Sequence, residues 1–490
     1  MKNYLIATIS GLLLFGCGSP DIQFTPSNLE PYRPLYHFTP AKGWMNDPNG
    51  MVYLDGEYHL FFQHYPDSTV WGPMHWGHAV SADLVNWEER AIAIYPDSLG
   101  YIFSGSAVFD RDNTSGFGTA DNPPLVAIYT YHDMDGEKSG KSDYQSQAIA
   151  YSLDQGKSWT KYEGNPVLPN QGIRDFRDPK VRSIKKSDGT NQWVMTLAAK
   201  DRIQFFGSSD LKSWALLGEF GQGIGAHGGV WECPDLIPMK TPDGSEKWVL
   251  LVSLNPGGPQ MGSATQYFIG DFDNGTFTPD DTMIRWLDYG PDNYAGVTWS
   301  NTPGDRNAFI GWMSNWLYAQ VVPTDTWRSA MTTPRDLSLF DVDGTLLVKS
   351  APAAELVGLR GEKYNIAEQS TLPSPATEIL ASVESDQFSL ELSNELGEKV
   401  IISKENGLVT IDRTSAGPND FHPDFGAAHS APMSWKAESI RLYLDASSVE
   451  LFVNDGELVM TSLVFPSAPL NQISILGGLA DVQLFSLKKP

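Results

Sequence analysis

The last third of the chain alternates apolar and polar residues with a period of two. QFSLELSN, KVIISKEN, LVTIDR, IRLYLDASSVELFVNDGELVMTSLVFP, NQISILGG and DVQLFSLK all show the pattern between Gln387 and Lys488. Alternation broken by turns at short intervals predicts a β-sandwich, and VNDGE around Asn454–Gly456 predicts a hairpin turn within it. The first 340 residues read differently. Short runs rich in Val, Ile, Tyr and Trp are separated by turn residues, and no long helical periodicity interrupts them. Both halves are therefore expected to be all-β.

The first part also repeats. SADLVNW (Ser81–Trp87), SLDQGKSW (Ser152–Trp159) and SSDLKSW (Ser208–Trp214) each follow a strand-like run and share Ser-x-Asp with a Trp a few residues on. The middle copy fits the Asp-box pattern, in which the Asp accepts backbone N–H groups of a hairpin turn and the Trp packs beneath it. The Trp residues lie 72 and 55 residues apart, the length of a four-stranded propeller blade with its loops. Near Val348–Arg360 the character changes, and of 15 Trp only Trp435 lies beyond Trp327. The reading is a propeller over residues 31–347 and a sandwich over 348–490.

At the N-terminus, Lys2 precedes the apolar run YLIATISGLLLFG, too short to span a bilayer but suited to an export signal. It closes on LLFGC, which resembles a bacterial lipobox. Residues 1–16 are expected to be a signal peptide, Cys17 the lipid acceptor and residues 17–30 a tether. The only other cysteine is Cys233, so acylation of Cys17 would leave no intramolecular disulfide. A net charge of −25 argues against nucleic acid or an anionic membrane surface as partner, since either would be repelled.

Three acids stand in aromatic and proline-marked surroundings: Asp47 in WMNDPNG, Asp178 in DFRDPKV and Glu232 in VWECPDL. Proline cannot donate to a strand ladder, so each acid is expected where a strand stops and turns, aimed into a cavity at the propeller axis. WMNDPNG, FRDP and WECP together resemble the three signature motifs of glycoside hydrolase family 32, the invertase, inulinase and levanase β-fructofuranosidases. Further segments, among them DYGPDNYAGVTW and GWMSNWLYAQVVPTDTW, resemble family segments in the same order. The resemblance implies a five-bladed β-propeller followed by a β-sandwich.

It also implies roles. Asp47 would be the nucleophile, Glu232 the general acid/base and Asp178 the stabiliser of the transition state. Asn46, Gln63, Trp71, Phe103, Ser104, Arg177 and Trp316 would line the fructosyl subsite. Retention of configuration needs two carboxyl groups about 5–5.5 Å apart, one to attack and one to protonate. Asp47 is expected to draw on backbone N–H donors of its turn, Asp178 to stay charged beside Arg177, and Glu232 to hold a proton between apolar Trp231 and Cys233. The implied activity is hydrolysis of levan, inulin or sucrose. A fructosyltransferase and a non-catalytic fructan-binding lipoprotein are the alternatives. No cofactor is implied, and no metal-ligand spacing stands out among the nine His.

Overall fold

The computed structural model describes residues 30–186 and 188–490. The expected signal peptide, Cys17 and the tether up to residue 29 lie outside the described residues. Five sheets, each built on four antiparallel strands and the first and last carrying a fifth short one, follow one another along the chain as blades I to V. Their innermost strands are Gly43–Leu54, Tyr101–Phe109, Phe176–Lys185, Val230–Lys240 and Tyr294–Thr298. Trp327–Arg328 runs parallel to the innermost strand of blade I, tying the last blade's loop to the first. The three Ser-x-Asp repeats are the hairpins between the third and fourth strands of blades I, II and III. Asp83 accepts from the amides of Val85 and Asn86, Asp154 from that of Ser158, and Asp210 from those of Lys212 and Ser213.

The strands do not stop at the acid motifs. In all five innermost strands two residues instead face one on the neighbouring strand: Asn46–Asp47, Phe103–Ser104, Asp178–Pro179, Cys233–Pro234 and Ala295–Gly296. These are β-bulges, which break the ladder locally and re-aim a side chain. Asp178, Cys233 and Ala295 open their bulges at positive φ, at 64°, 45° and 54°. The turn-like residues of WMNDPNG thus serve a bulge; Pro179 and Pro234 sit inside theirs, where the ladder is already interrupted, and Pro48 directly follows its own.

Two six-stranded sheets form the sandwich. Leu390, Leu392, Val400, Ile402, Val409, Ile411, Leu442 and Leu451 fill its core, the inward positions of the period-two pattern. Asn454 and Asp455 turn the expected hairpin at positive φ. The boundary expected at 347/348 falls inside Thr345–Pro352, which pairs with Arg335–Val342 as the outermost strand of blade V. This outer strand also meets the sandwich, the Ser350 amide donating to the Gly456 carbonyl at 2.9 Å. Sandwich strands begin at Arg360.

Candidate active site

The bulges of blades I to IV open onto one cavity of about 230 Å³ at the propeller axis. All ten residues expected there line it: Asn46, Asp47, Gln63, Trp71, Phe103, Ser104, Arg177, Asp178, Glu232 and Trp316. The lining also includes Asp175 and, from the polar, loop-like insertion Tyr131–Gln145 whose sequence suits a cavity border, His132, Glu137, Tyr144 and Gln145. Below the acids, Lys180 forms a buried pair with Asp235 at 3.1 Å and donates to the carbonyl of Thr298. That pair links the inner strands of blades III, IV and V beneath the cavity.

Each acid has a distinct set of partners. Asp47 accepts from Ser104 Oγ at 2.7 Å and from Asn46 Nδ2 at 3.0 Å, while Asn46 Oδ1 is held by the Trp44 indole at 2.7 Å. Its donors are chiefly side chains of two neighbouring bulges, where turn amides had been expected. Asp178 accepts from the Cys233 amide at 3.0 Å. The Cys233 thiol lies 3.6 Å from both Asp47 Oδ2 and Asp178 Oδ2. Burial and the surrounding acids push that thiol up, so it packs between the two acids as a neutral group and is no nucleophile.

Glu232 is set differently from the expected apolar niche. Its Oε1 accepts from Arg177 Nε at 3.0 Å and Nη2 at 2.8 Å, and its Oε2 accepts from the Tyr294 hydroxyl. Successive strand residues face opposite sides, so Trp231 packs away from the axis against Phe268. Arg177 also donates to Asp175 at 2.8 Å, which leaves its fork turned from Asp178. Tyr294 was missed; its only signal was membership of the family-like segment DYGPDNYAGVTW.

Charge balance follows from these contacts. Burial pushes Asp178 up to about 7; Arg177 opposes this, the charges of Glu232 and Asp47 add to it, and the Cys233 amide works against it. Asp178 therefore does not remain an ordinary carboxylate beside Arg177. Asp47 is also raised, by burial and then by Glu232, against the donors Asn46 and Ser104. Like charges this close cannot all ionise readily, so the cluster retains a proton near neutrality.

A stability consequence can be measured. Between the ordinary carboxylate range and pH 7 the folded state holds a proton on Asp178 that the unfolded chain has lost. Stability therefore falls as pH rises through that window. Asp178→Asn cannot titrate. Its stability relative to the parent is expected to grow between pH 4 and pH 8, read by urea unfolding at several pH values. A constant difference would show that Asp178 titrates normally.

Among the described residues no group of three or more His, Cys, Asp or Glu is arranged to hold a metal ion. Carboxyl groups gathered around a cavity walled by amides and aromatic rings are what acid-catalysed opening of a glycosidic bond requires, so the class that this fold and site define is a glycosidase. Comparison with known proteins carries the same statement further. The family model for the N-terminal domain of glycosyl hydrolases family 32 matches residues 37–350, and that for the family's C-terminal region matches 340–487. The chain belongs to glycosyl hydrolase family 32.

It is 44% identical over 517 aligned positions to a levanase of Bacillus subtilis (strain 168), covering 99% of this chain and 74% of that protein. It is 38% identical over 489 positions to an extracellular exo-inulinase of Aspergillus awamori, covering 90% of each. The crystal structure of exo-inulinase from Aspergillus awamori superposes with a TM-score of 0.84 at 34% identity, covering 94% of this chain and 99% of that one. A β-fructofuranosidase from Schwanniomyces occidentalis complexed with fructosyl-erythritol gives 0.82 at 33% identity, covering 93% and 98%.

Proposed function

We propose that the protein is a retaining β-fructosidase that removes fructosyl units from the ends of fructan chains. The observation that carries this reading is the single cavity that brings Asp47, Asp178 and Glu232 together, with Arg177 holding Glu232. Asp47 attacks the anomeric carbon while Glu232 gives a proton to the departing oxygen, leaving a fructosyl ester on Asp47. Water then attacks, losing its proton to Glu232, and fructose leaves with its configuration retained. Arg177 and the Tyr294 hydroxyl fix both oxygens of Glu232, so that its carboxyl cannot rotate away from the bond. Asp178 holds ring hydroxyls and favours the oxocarbenium-like state. Gln63 is 2% exposed, lines the cavity and carries an Nε2 with no partner in the protein. A buried amide donor left unmade is costly, and a sugar hydroxyl would satisfy it.

Action at a chain end is favoured because Lys180 and Asp235 occupy the axis beneath the acids, so the cavity receives one terminal ring. The levanase and exo-inulinase relatives support fructan as substrate. The extracellular relative supports export, and the LLFGC sequence supports an anchor at Cys17, which labelled fatty acid would reveal. Incubation with levan, inulin and sucrose tests the main reading. Fructose without intermediate oligomers from levan and inulin, and fructose with an equal amount of glucose from sucrose, is expected, the fructose first released as the β-anomer by NMR. A ladder of oligomers would exclude end action, the α-anomer would exclude double displacement, and absence of fructose would exclude a fructosidase.

A further inference from the structure

Residues 133–144 form an excursion from blade II, rising between strands Leu125–His132 and Gln145–Ser152. A short helix, Met134–Lys138, caps it, with Asp133 accepting from the Gly136 amide at 2.9 Å. His132, Glu137 and Tyr144 bring this excursion to the cavity wall. A chain of polar contacts connects it to the proposed acid/base. The Tyr144 hydroxyl meets Asp175 at 3.2 Å, Asp175 holds Arg177 at 2.8 Å, and Arg177 holds Glu232. Asp47 takes its donors from Asn46 and Ser104. The group that receives the Glu232 proton therefore lies toward the excursion.

The hydrogen bonds assign the tautomer of His132. Gln145 Oε1 accepts from the Phe176 amide at 2.7 Å, so Gln145 Nε2 is the atom that meets His132 Nδ1 at 3.1 Å. An amide nitrogen donates only, so Nδ1 accepts and the ring proton sits on Nε2. His132 is 3% exposed, and its Nε2 has no aligned hydrogen-bond partner. It lies 3.1 Å from Glu137 Oε2. The ring cannot swing aside, being stacked on Phe103 with centroids 4.2 Å apart and planes 9° from parallel. Glu137 is partly exposed and is met on its other oxygen by Arg174 at 3.4 Å. Burial, followed by the Arg177 charge, lowers His132 to about 4, so the ring is neutral over the working range.

We propose that His132 Nε2–H and the Glu137 carboxylate are a donor–acceptor pair for one hydroxyl of the sugar on the leaving side of the scissile bond. A hydroxyl both donates and accepts, and so satisfies the two groups together. This rests on the fructosidase reading above and adds the side of the bond on which the enzyme distinguishes sugar from simple alcohol.

The test compares Glu137→Ala with the parent on inulobiose and levanbiose, which have a sugar beyond the bond, and on methyl β-fructofuranoside, which has none. The kcat/KM ratio of disaccharide to methyl glycoside is expected to fall about tenfold, as for loss of a hydrogen bond to a charged group, chiefly through KM. His132→Phe keeps the ring on Phe103 and is expected to move the ratio in the same sense. An unchanged ratio in Glu137→Ala would overturn the proposal. A parent inactive on all three compounds would overturn the fructosidase reading instead.

Discussion

Asp47→Asn is expected to lower kcat on fructan by about 10⁴-fold or more, because it removes the carboxylate proposed to form the covalent intermediate. Glu232→Gln is expected to lose about 10²–10⁴-fold. The two variants separate on a nitrophenyl fructoside, whose leaving group departs without a proton. Glu232→Gln should form the fructosyl ester on that substrate and stall, giving a burst of nitrophenol. Asp47→Asn should give none. Both should fold, since an amide at Asp47 still accepts from Ser104 and an amide at Glu232 still accepts from Arg177 through its oxygen. Near-UV circular dichroism and the unfolding midpoint check this. Parent-like fructan hydrolysis by either variant would remove the proposed roles, and a burst from Asp47→Asn would reassign the nucleophile.

The sandwich was legible because most of its strands have one dry face, and Phe388, Leu390 and Leu392 or Val400 and Ile402 alternate with wetter residues, whereas Ser448–Val453 and Leu458–Leu463 are buried throughout. The blades were legible only through their hairpins. Asp83, Asp154 and Asp210 close local turns, and local chemistry leaves a local pattern. The acids were found because they lie in motifs, but their partners were not, since Arg177 meets Glu232 across 55 residues and Ser104 meets Asp47 across 57. The setting assigned to Glu232 went wrong for one physical reason. Sequence neighbours in a strand point to opposite faces, so Trp231 says nothing of what Glu232 touches. Reading the motifs as turns failed similarly: Asn, Asp, Pro and Gly suit a bulge as well as a turn, and only the partner strand distinguishes them. His132 and Glu137 were legible only as members of the polar, loop-like insertion YHDMDGEKSGKSDYQ (Tyr131–Gln145), a candidate border of the cavity mouth; neither stands out within it, because one reads as a strand end and the other as a loop acid.

Glu450→Gln is expected to be the most destabilising single change outside the site. Glu450, on sandwich strand Ser448–Val453, is fully buried. Its oxygens meet His37 Nε2 at 2.8 Å, Arg335 of blade V at 2.7 Å and the Thr333 amide at 2.9 Å. His37 is held on its other nitrogen by Asp445 at 2.9 Å, and Arg335 reaches Asp288 at 2.9 Å. The N-terminal segment, the propeller and the sandwich thus share one buried network. Burial works against the charge on His37, yet Asp445 and Glu450 raise it to about 9. Burial likewise opposes the charge on Glu450, while His37 and Arg335 lower it to about 2. The histidine contribution is complete below its ordinary 6.5 and lost as pH rises through 9. The glutamate contribution is complete above its ordinary 4.5 and lost as pH falls through 2. Both are complete between about pH 4.5 and 6.5. Removing one partner of a buried pair costs about 3–5 kcal/mol because it strands the other charges, so that loss is expected at pH 6. At pH 9 the parent has already lost part of the His37 contribution, and the gap should narrow. Denaturant unfolding at the two pH values reads both effects. A cost below about 1 kcal/mol at pH 6 would mean that Glu450 does not clamp the two domains.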